Sequence, residues 1–473
     1  MKIHHSEEEL FQGVAETIQV QDGSVEIKDE AKLRDRAVDA LAYNAAFADE
    51  EVKAAARWFI WETAQELDIR PASINELYLA RGRGETDHRW TVPAMNLRGM
   101  AYDMARAVFR AALPRDVGAM IFELARSEMG YTGQPPSEYA SVVLGAAIRE
   151  EYRGPLFIQG DHFQVNPGKY TENIDSELKA LEDLIRESIG AGFFNIDIDT
   201  STLVDLDQST VAEQQRTNFE LCARFTETIR EAEPEAITIS VGGEIGEVGG
   251  KNSTPEELRA FMGGYNDSLP DGMVGLSKIS IQTGTSHGGV VLPDGSLAQV
   301  QIDFDVMRRL SEIARDEYGM GGAVQHGAST LPEEAFHKFP EKGCLEIHLA
   351  TGFQNIIYEH PEFPDDLREE IYDYLRSEHA HRWKDDQTEE QFIYDNRKRA
   401  FGPFKRDVWD IEPGARESIR HALEGKFAFL FDQLNALDTV ALVEEHIVAP
   451  RVPKALSDFR MAGETAADAE LAD

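Results

Sequence analysis

LFIQGDHFQVNPGKYTENIDSELKALEDLIRESIGAGFFNIDID, residues 156–199, is the stretch that decides the fold. It opens on a short apolar run, LFIQGD, passes into a helical pattern over 174–190 and closes on a second apolar run, FFNIDID. Two such runs joined by a helix form a βαβ unit, whose strands lie parallel. The same alternation continues in both directions. Upstream lie WTVPAMN (90–96) with a helix over 99–111, and GAMIFEL (118–124) with a helix over 136–150. Downstream come a helix over 210–232, AITISVGGE (236–244), a helix over 254–264, SKISIQTG (277–284) and a helix over 302–318. GGAVQHG (321–327), a helix over 331–341 and CLEIHLAT (344–351) complete the series. Eight strands in βα order over roughly 270 residues predict an α/β protein of the (β/α)8, or TIM-barrel, type. A doubly wound open sheet shares the alternation, but no GxGxxG follows the first strand, and polar residues close several strands instead of one.

The flanks are helical in pattern. Leu41, Ala45 and Ala46, then Ala54, Trp58, Ile60, Trp61 and Ala64, mark two helices ahead of the barrel, and LREEIYDYL and ESIRHALEGKFAFLFDQLNAL mark further helices behind it. The expected organisation is an N-terminal helical extension over 1–88, the barrel over 89–360, a C-terminal helical segment over 361–457 and an acidic, disordered tail over 458–473.

Composition narrows the function. The 473 residues hold 47 Lys plus Arg against 86 Asp plus Glu, a formal charge of −39. Such a field repels nucleic acid and anionic lipid, and it suits a surface kept hydrated at high salt. No run approaches the ~20 apolar residues of a membrane helix, and MKIHHSEEEL does not have the form of a signal peptide, so the expected location is the cytoplasm. The two cysteines, Cys222 and Cys344, have no metal-type spacing and read as buried apolar residues. An anionic substrate would also be repelled, so a phosphate site must be built locally from backbone N–H groups and a few side chains.

Active sites of such barrels gather at the C-terminal ends of the strands. Strand three ends in Asp161-His162, strand five in Glu244, strand six in His287 of GTSHG and strand seven in His326 of QHGAST. Three imidazoles with an open position make a catalytic divalent site, and nitrogen ligands suit Zn2+ among the divalent cations. Glu244 serves either as a further ligand or as a partner that orients an imidazole. Gly288 and Gly289 after His287, and Gly327 before Ala328-Ser329-Thr330, expose backbone N–H groups to an anion.

Together these motifs resemble the class II fructose-bisphosphate and tagatose-bisphosphate aldolases. The likeness runs through Gly160-Asp161-His162, AGFFNIDIDTSTL, EIGEVGG, GTSHGG, HGASTLPEEAF and LEIHLATGFQ, and RAFGPFKRDVWDI is similar to the end of the longer members. The resemblance implies that Asp161 is the acid/base on a substrate hydroxyl and that His162, His287 and His326 hold the metal, with Glu244 serving it nearby. It also implies that Asn96, Gly288, Gly327, Ala328, Ser329, His348 and Thr351 line the substrate. The implied substrate is a phosphorylated ketose, fructose 1,6-bisphosphate or a close analogue. The implied cofactor is Zn2+ or another divalent cation, with a monovalent cation in addition, and the implied assembly is a homo-oligomer such as a dimer. Three departures accompany it. His348 stands where the family has Asn, Lys251-Asn252-Ser253 replaces an acidic loop, and Val290-Val291 replaces a basic residue after GTSHG. The nearest acids to that loop are Glu247, Glu256 and Glu257. A non-catalytic sugar-phosphate-binding or stabilising subunit of an aldolase complex is the alternative.

Overall fold

The structure is a computed structural model that describes residues 2–21, 23–246, 251–284, 292 and 302–461. Its centre is a closed barrel of eight parallel strands: β4 (Val92–Asn96), β5 (Ile121–Ala125), β6 (Gly154–Gln164), β7 (Asn195–Asp199), β8 (Ser240–Glu244), β9 (Lys278–Ile281), β10 (Ala323–Gln325) and β11 (Glu346–Leu349). Each pairs with the next, and β11 returns to β4 through Glu346↔Val92 to Leu349↔Met95. Three shorter strands precede it: β1 (Ile18–Gln21) and β2 (Ser24–Ile27) form an antiparallel hairpin, and β3 (Ile69–Pro71) adds in parallel to the start of β6. The eight runs expected as barrel strands thus all take that role.

The connecting helices follow local chemistry. Ile174–Ala191 starts at Asn173, whose side chain accepts from Ser176 N, and stops at Gly192, which has φ +105°. A Cβ there would lie 2.8 Å from the Trp61 ring, so only glycine serves both the turn and the packing. One expectation fails: 331–341 is not a single helix but a 3-10 turn, Glu333–Ala335, and a short helix, Lys338–Glu341. Pro332 is extended and Pro340 has no N–H to carry a helical ladder across the gap.

The barrel interior is layered. The floor is apolar, with Ile74, Leu77 and Tyr78 of the segment ahead of the barrel packed on Val92, Ala94, Ile121 and Phe157. Burying Ile74 and Leu77 completely contributes ~1.5–3 kcal/mol each. Above it lies a charged layer of Glu123, Gln159, Asp197, Lys278 and Glu346, all buried. The top layer holds the residues that close the strands.

The flanking segments wrap this core. Besides the helices Glu7–Val14, Val38–Phe47, Glu50–Glu66 and Asn75–Gly82, the N-terminal part carries the β1–β2 hairpin. Pro413–Gln433 packs on Ala101–Ala112 behind β4. The chain then returns across Glu50–Glu66, where Trp58 and Trp61 donate their indole N–H groups to Lys454 O (2.9 Å) and Val452 O (2.8 Å). Leu456–Met461 is helical. Among the described residues no helix is long and apolar enough to cross a membrane.

Candidate active site

Asp161 and His162 are consecutive, and in a regular strand they would point to opposite faces. They reach the same site because β6 is irregular there: its register with β7 shifts between Gly160 and Phe163. His162 takes φ +39°, a left-handed conformation that a non-glycine residue adopts only where its surroundings impose it. Gly160 makes the fold of this bulge feasible, since a Cβ there would lie 2.4 Å from the Phe163 ring.

Around the bulge the imidazoles form a row. The His162 and His326 rings lie 4.1 Å apart, centre to centre, and the His326 and His348 rings 4.0 Å. His162, His326 and Glu244 each offer a ligand atom within 4.8 Å of the others. Two nitrogens and a carboxylate oxygen at that separation suit a divalent cation. His287 and Gly288, the other expected ligand and anion-binding residue in the same loop, lie outside the described residues, as does Glu247. His162 Nδ1 faces Asp199 Oδ2 at 3.2 Å and Glu244 Oε2 at 3.5 Å. Asp199 is itself fixed by Gln164 Nε2 (2.7 Å), Ser201 Oγ (2.7 Å) and Ser201 N (3.0 Å), so it orients the ring. Burial opposes a charge on His162, but Asp161 and Glu244 outweigh it and hold the ring well above its ordinary pKa. A cation bound between these groups competes with that proton.

Asp161 sits 4% exposed at the centre of the row. Its Oδ1 meets His348 Nδ1 at 3.0 Å, with His326 Nδ1 at 3.8 Å, and its Oδ2 accepts from Asn96 Nδ2 at 2.9 Å. Asn96 also donates to Glu128 Oε2 at 2.8 Å, and Glu128 receives Arg98 Nε at 2.5 Å. Burial alone would raise the Asp161 pKa, yet the His162 and His348 charges hold it well below the carboxylate range. Glu244 behaves oppositely, raised by burial and by Asp199.

The remaining expected residues fall on the same rim. Gly327 has φ +69°, Ala328 is fully buried, and Ser329 Oγ accepts from Ala350 N at 2.5 Å, tying the loop after β10 to the start of the helix Thr351–Glu359. Of the acids near the replaced loop, Glu256 is exposed, while Glu257 caps its own helix through Thr254 N (2.8 Å) and pairs with Lys251 (2.8 Å). His348 spans two layers: its Nδ1 is on Asp161 Oδ1 at 3.0 Å, and its Nε2 meets Glu346 Oε1 at 2.7 Å, below Asp161.

Reading the strand ends alone missed Asp199 and the whole middle layer. The signal for three of the acids was present as polar residues at alternate positions inside apolar strands, Asp197 and Asp199 in NIDID and Glu346 two before His348 in EIHL, which places them on the inner face. In that layer Lys278 Nζ lies 2.9 Å from Asp197 Oδ1 and 2.5 Å from Glu346 Oε1. Burial, together with Asp161 and Glu346 beside it, holds Glu123 well above the carboxylate range, and burial pushes Asp197 up to about 6 despite Lys278.

A parallel eight-stranded barrel whose strand ends gather His162, His326 and Glu244 within reach of one cation belongs to the TIM-barrel class. Comparison with known proteins makes it specific: the family description "Fructose-bisphosphate aldolase class-II" matches residues 85–404, more than half of the chain, and the protein belongs to that family. A Coccidioides immitis protein provisionally named a fructose-bisphosphate aldolase is 27% identical over 286 residues, 57% of this chain and 77% of that protein. The D-tagatose-1,6-bisphosphate aldolase subunit GatZ of Escherichia coli K12 is 28% identical over 135 residues, 27% of this chain and only 31% of its own length. Among solved structures, the fructuronate-tagaturonate epimerase UxaE of Cohnella laeviribosi shares the fold, with a TM-score of 0.56 at 12% identity over 88% of this chain and 93% of the other.

Proposed function

We propose that the protein catalyses the metal-dependent, reversible aldol cleavage of a ketose bisphosphate, fructose 1,6-bisphosphate or a close analogue, to dihydroxyacetone phosphate and an aldehyde. The observation that carries the reading is the position of Asp161, ionised and held between Asn96 and His348, beside the group formed by His162, Glu244 and His326. These three, with His287, would hold the divalent cation, zinc by ligand type. A divalent cation at such a site acts as a Lewis acid toward a ketose carbonyl and its neighbouring hydroxyl.

The chain's own residues supply the proton chemistry. Asp161, with its pKa held low, accepts the proton of the C4 hydroxyl as the C3–C4 bond breaks, the electron pair stays with the triose end, whose C3 then takes a proton from water, and both transfers run in reverse in the condensation direction. Asn96 and His348 fix the carboxylate's two oxygens, which limits its rotation during that exchange. The N–H groups around Gly327 and Ser329 and the first turn of Thr351–Glu359 would take the phosphate of the triose end.

Purified protein should cleave a ketose bisphosphate, lose activity to a chelator and regain it with zinc. Asp161→Ala should lower kcat by ~10²–10⁴. Full activity in that variant, or in chelated and metal-free protein, refutes the proposal. A second reading, a sugar-phosphate-binding or stabilising subunit, draws on the likeness to GatZ, itself named a subunit. Turnover by this chain alone removes it.

A further inference from the structure

The role given to Asp161 here rests on the aldolase reading above. His348 is held at both ends, with Nδ1 on Asp161 Oδ1 at 3.0 Å and Nε2 on Glu346 Oε1 at 2.7 Å. Glu346 cannot swing away. Its Oε1 also receives Lys278 Nζ (2.5 Å) and Gln159 Nε2 (2.9 Å), and its Oε2 accepts from the Tyr78 hydroxyl. Tyr78 stands on the helix Asn75–Gly82, in the barrel floor. Tyr78 and Glu346 are fully buried, and His348 and Asp161 are each 4% exposed.

A continuous hydrogen-bonded chain therefore climbs the barrel interior from the N-terminal segment to Asp161. Strand geometry explains its path: Glu346 and His348 are two apart on β11, so both side chains point inward, one above the other. Glu123, Glu346 and His348 also bring three donor atoms within 4.8 Å, but Lys278 already supplies the cation at Glu346, and both His348 nitrogens face carboxylates. That arrangement suits a donor bridging two acceptors better than a metal ligand.

We propose that Tyr78, Glu346 and His348 are positioning residues that fix the Asp161 carboxylate, which makes the helix Asn75–Gly82 part of the active site. Asp161 lies on a bulge, where the backbone gives less support than a regular ladder, and lateral contacts from His348 and Asn96 set the orientation of its oxygens. Supporting contacts of this kind are typically worth 10–100-fold in activity.

Tyr78→Phe removes one hydroxyl and leaves the floor packing, so it is the decisive variant; Glu346→Gln and His348→Asn test the upper links. In the full-length, metal-loaded protein, kcat should fall by ~10-fold in Tyr78→Phe and ~10²-fold in Glu346→Gln, with KM within about twofold of the parent and bound metal unchanged by elemental analysis. His348→Asn, which keeps one amide donor for Asp161, should retain more activity than His348→Ala. A second readout does not depend on turnover. The imidazole N–H proton resonance of His348, assigned by its loss in His348→Asn, should move in both Tyr78→Phe and Glu346→Gln. Unchanged kcat in Tyr78→Phe, or an unmoved resonance, overturns the coupling. Should no ketose phosphate be turned over by the parent, the aldolase reading fails, and the resonance alone decides whether the chain exists.

Discussion

Lys278, in the charged layer of the barrel, and Arg81, beneath its floor, are both fully buried, yet the structure treats their charges in opposite ways. Burial disfavours the ammonium of Lys278, but Asp197 and Glu346 more than offset it and raise its pKa above the ordinary value, with Gln159 Oε1 accepting a third bond at 2.7 Å. Among the described residues Arg81 has no carboxylate in contact. Its Nη2 donates to His88 O, Gly343 O and Cys344 O at 2.8–3.3 Å, its guanidinium lies 4.7 Å from the Trp90 ring centre, and its Nε and Nη1 meet no hydrogen-bond partner among the described residues. Burial, then Arg315, push it down to about 9. Depth is the same in the two places; what differs is whether acids stand within reach. The barrel layer is a balanced charge network, whereas Arg81 is a cation held for the sake of its geometry, knitting the loop before β4 to the loop before β11.

The largest effect should follow from breaking the balanced network. Lys278→Met leaves Asp197 and Glu346 buried without their cation, and removing one partner of a buried ion pair costs ~3–5 kcal/mol. Denaturant unfolding of parent and variant measures this directly. Adding Glu346→Gln to Lys278→Met should recover part of the loss, because one orphaned acid is then neutral. A single variant within ~1 kcal/mol of the parent would mean that the ion pairs hold no more than the carbonyl contacts of Arg81 do.

A smaller effect of the same origin should appear with pH. The folded-state pKa of Lys278 is raised above the unfolded one, so its contribution is fully present below about pH 10.5 and is lost as pH rises through the folded value. The stability gap between the parent and Lys278→Met should therefore be constant from pH 8 to about 10 and narrow above about 10.5. Thermal unfolding of both proteins across that range reads it. A gap that stays constant to the alkaline limit would assign the loss in the variant to packing rather than charge.

The same difference sets how much of the molecule is legible in its sequence. Each barrel strand was legible because a buried parallel strand is a bounded apolar run, and the strand-end residues Asp161, Glu244 and His326 were legible because position in such a barrel assigns the face. The bulge that turns Asp161 and His162 into one site was not, since it depends on how Phe163 closes over Gly160. Lys278 is a charged residue near the start of SKISIQTG, and its burial is evident only once Asp197 and Glu346 arrive from other strands. Arg81 was hidden for the same reason: it lies in a Gly- and Arg-rich stretch, RGRGETDHR, with nothing to announce that Trp90 and the carbonyls of residues 343 and 344 would enclose it. Contacts between distant strands decide such cases, and local pattern carries no record of them.

The smallest effect should come from Arg81→Met. Two of the three carbonyls it would abandon keep other donors, Gly343 O from Ser311 Oγ at 2.6 Å and Cys344 O from Thr91 Oγ1 at 2.8 Å, so among the described residues only His88 O loses its donor. The contact with Trp90 is worth ~0.5–2 kcal/mol, while the variant no longer buries a charge that lacks a carboxylate partner. These terms oppose one another, and the net change should lie within ~1 kcal/mol, measured as the shift in denaturant midpoint at neutral pH, where Arg81 is charged. A loss as large as that of Lys278→Met would show that carbonyl oxygens and one indole can hold a buried guanidinium as firmly as two carboxylates hold an ammonium, and the distinction between floor and barrel interior would fall.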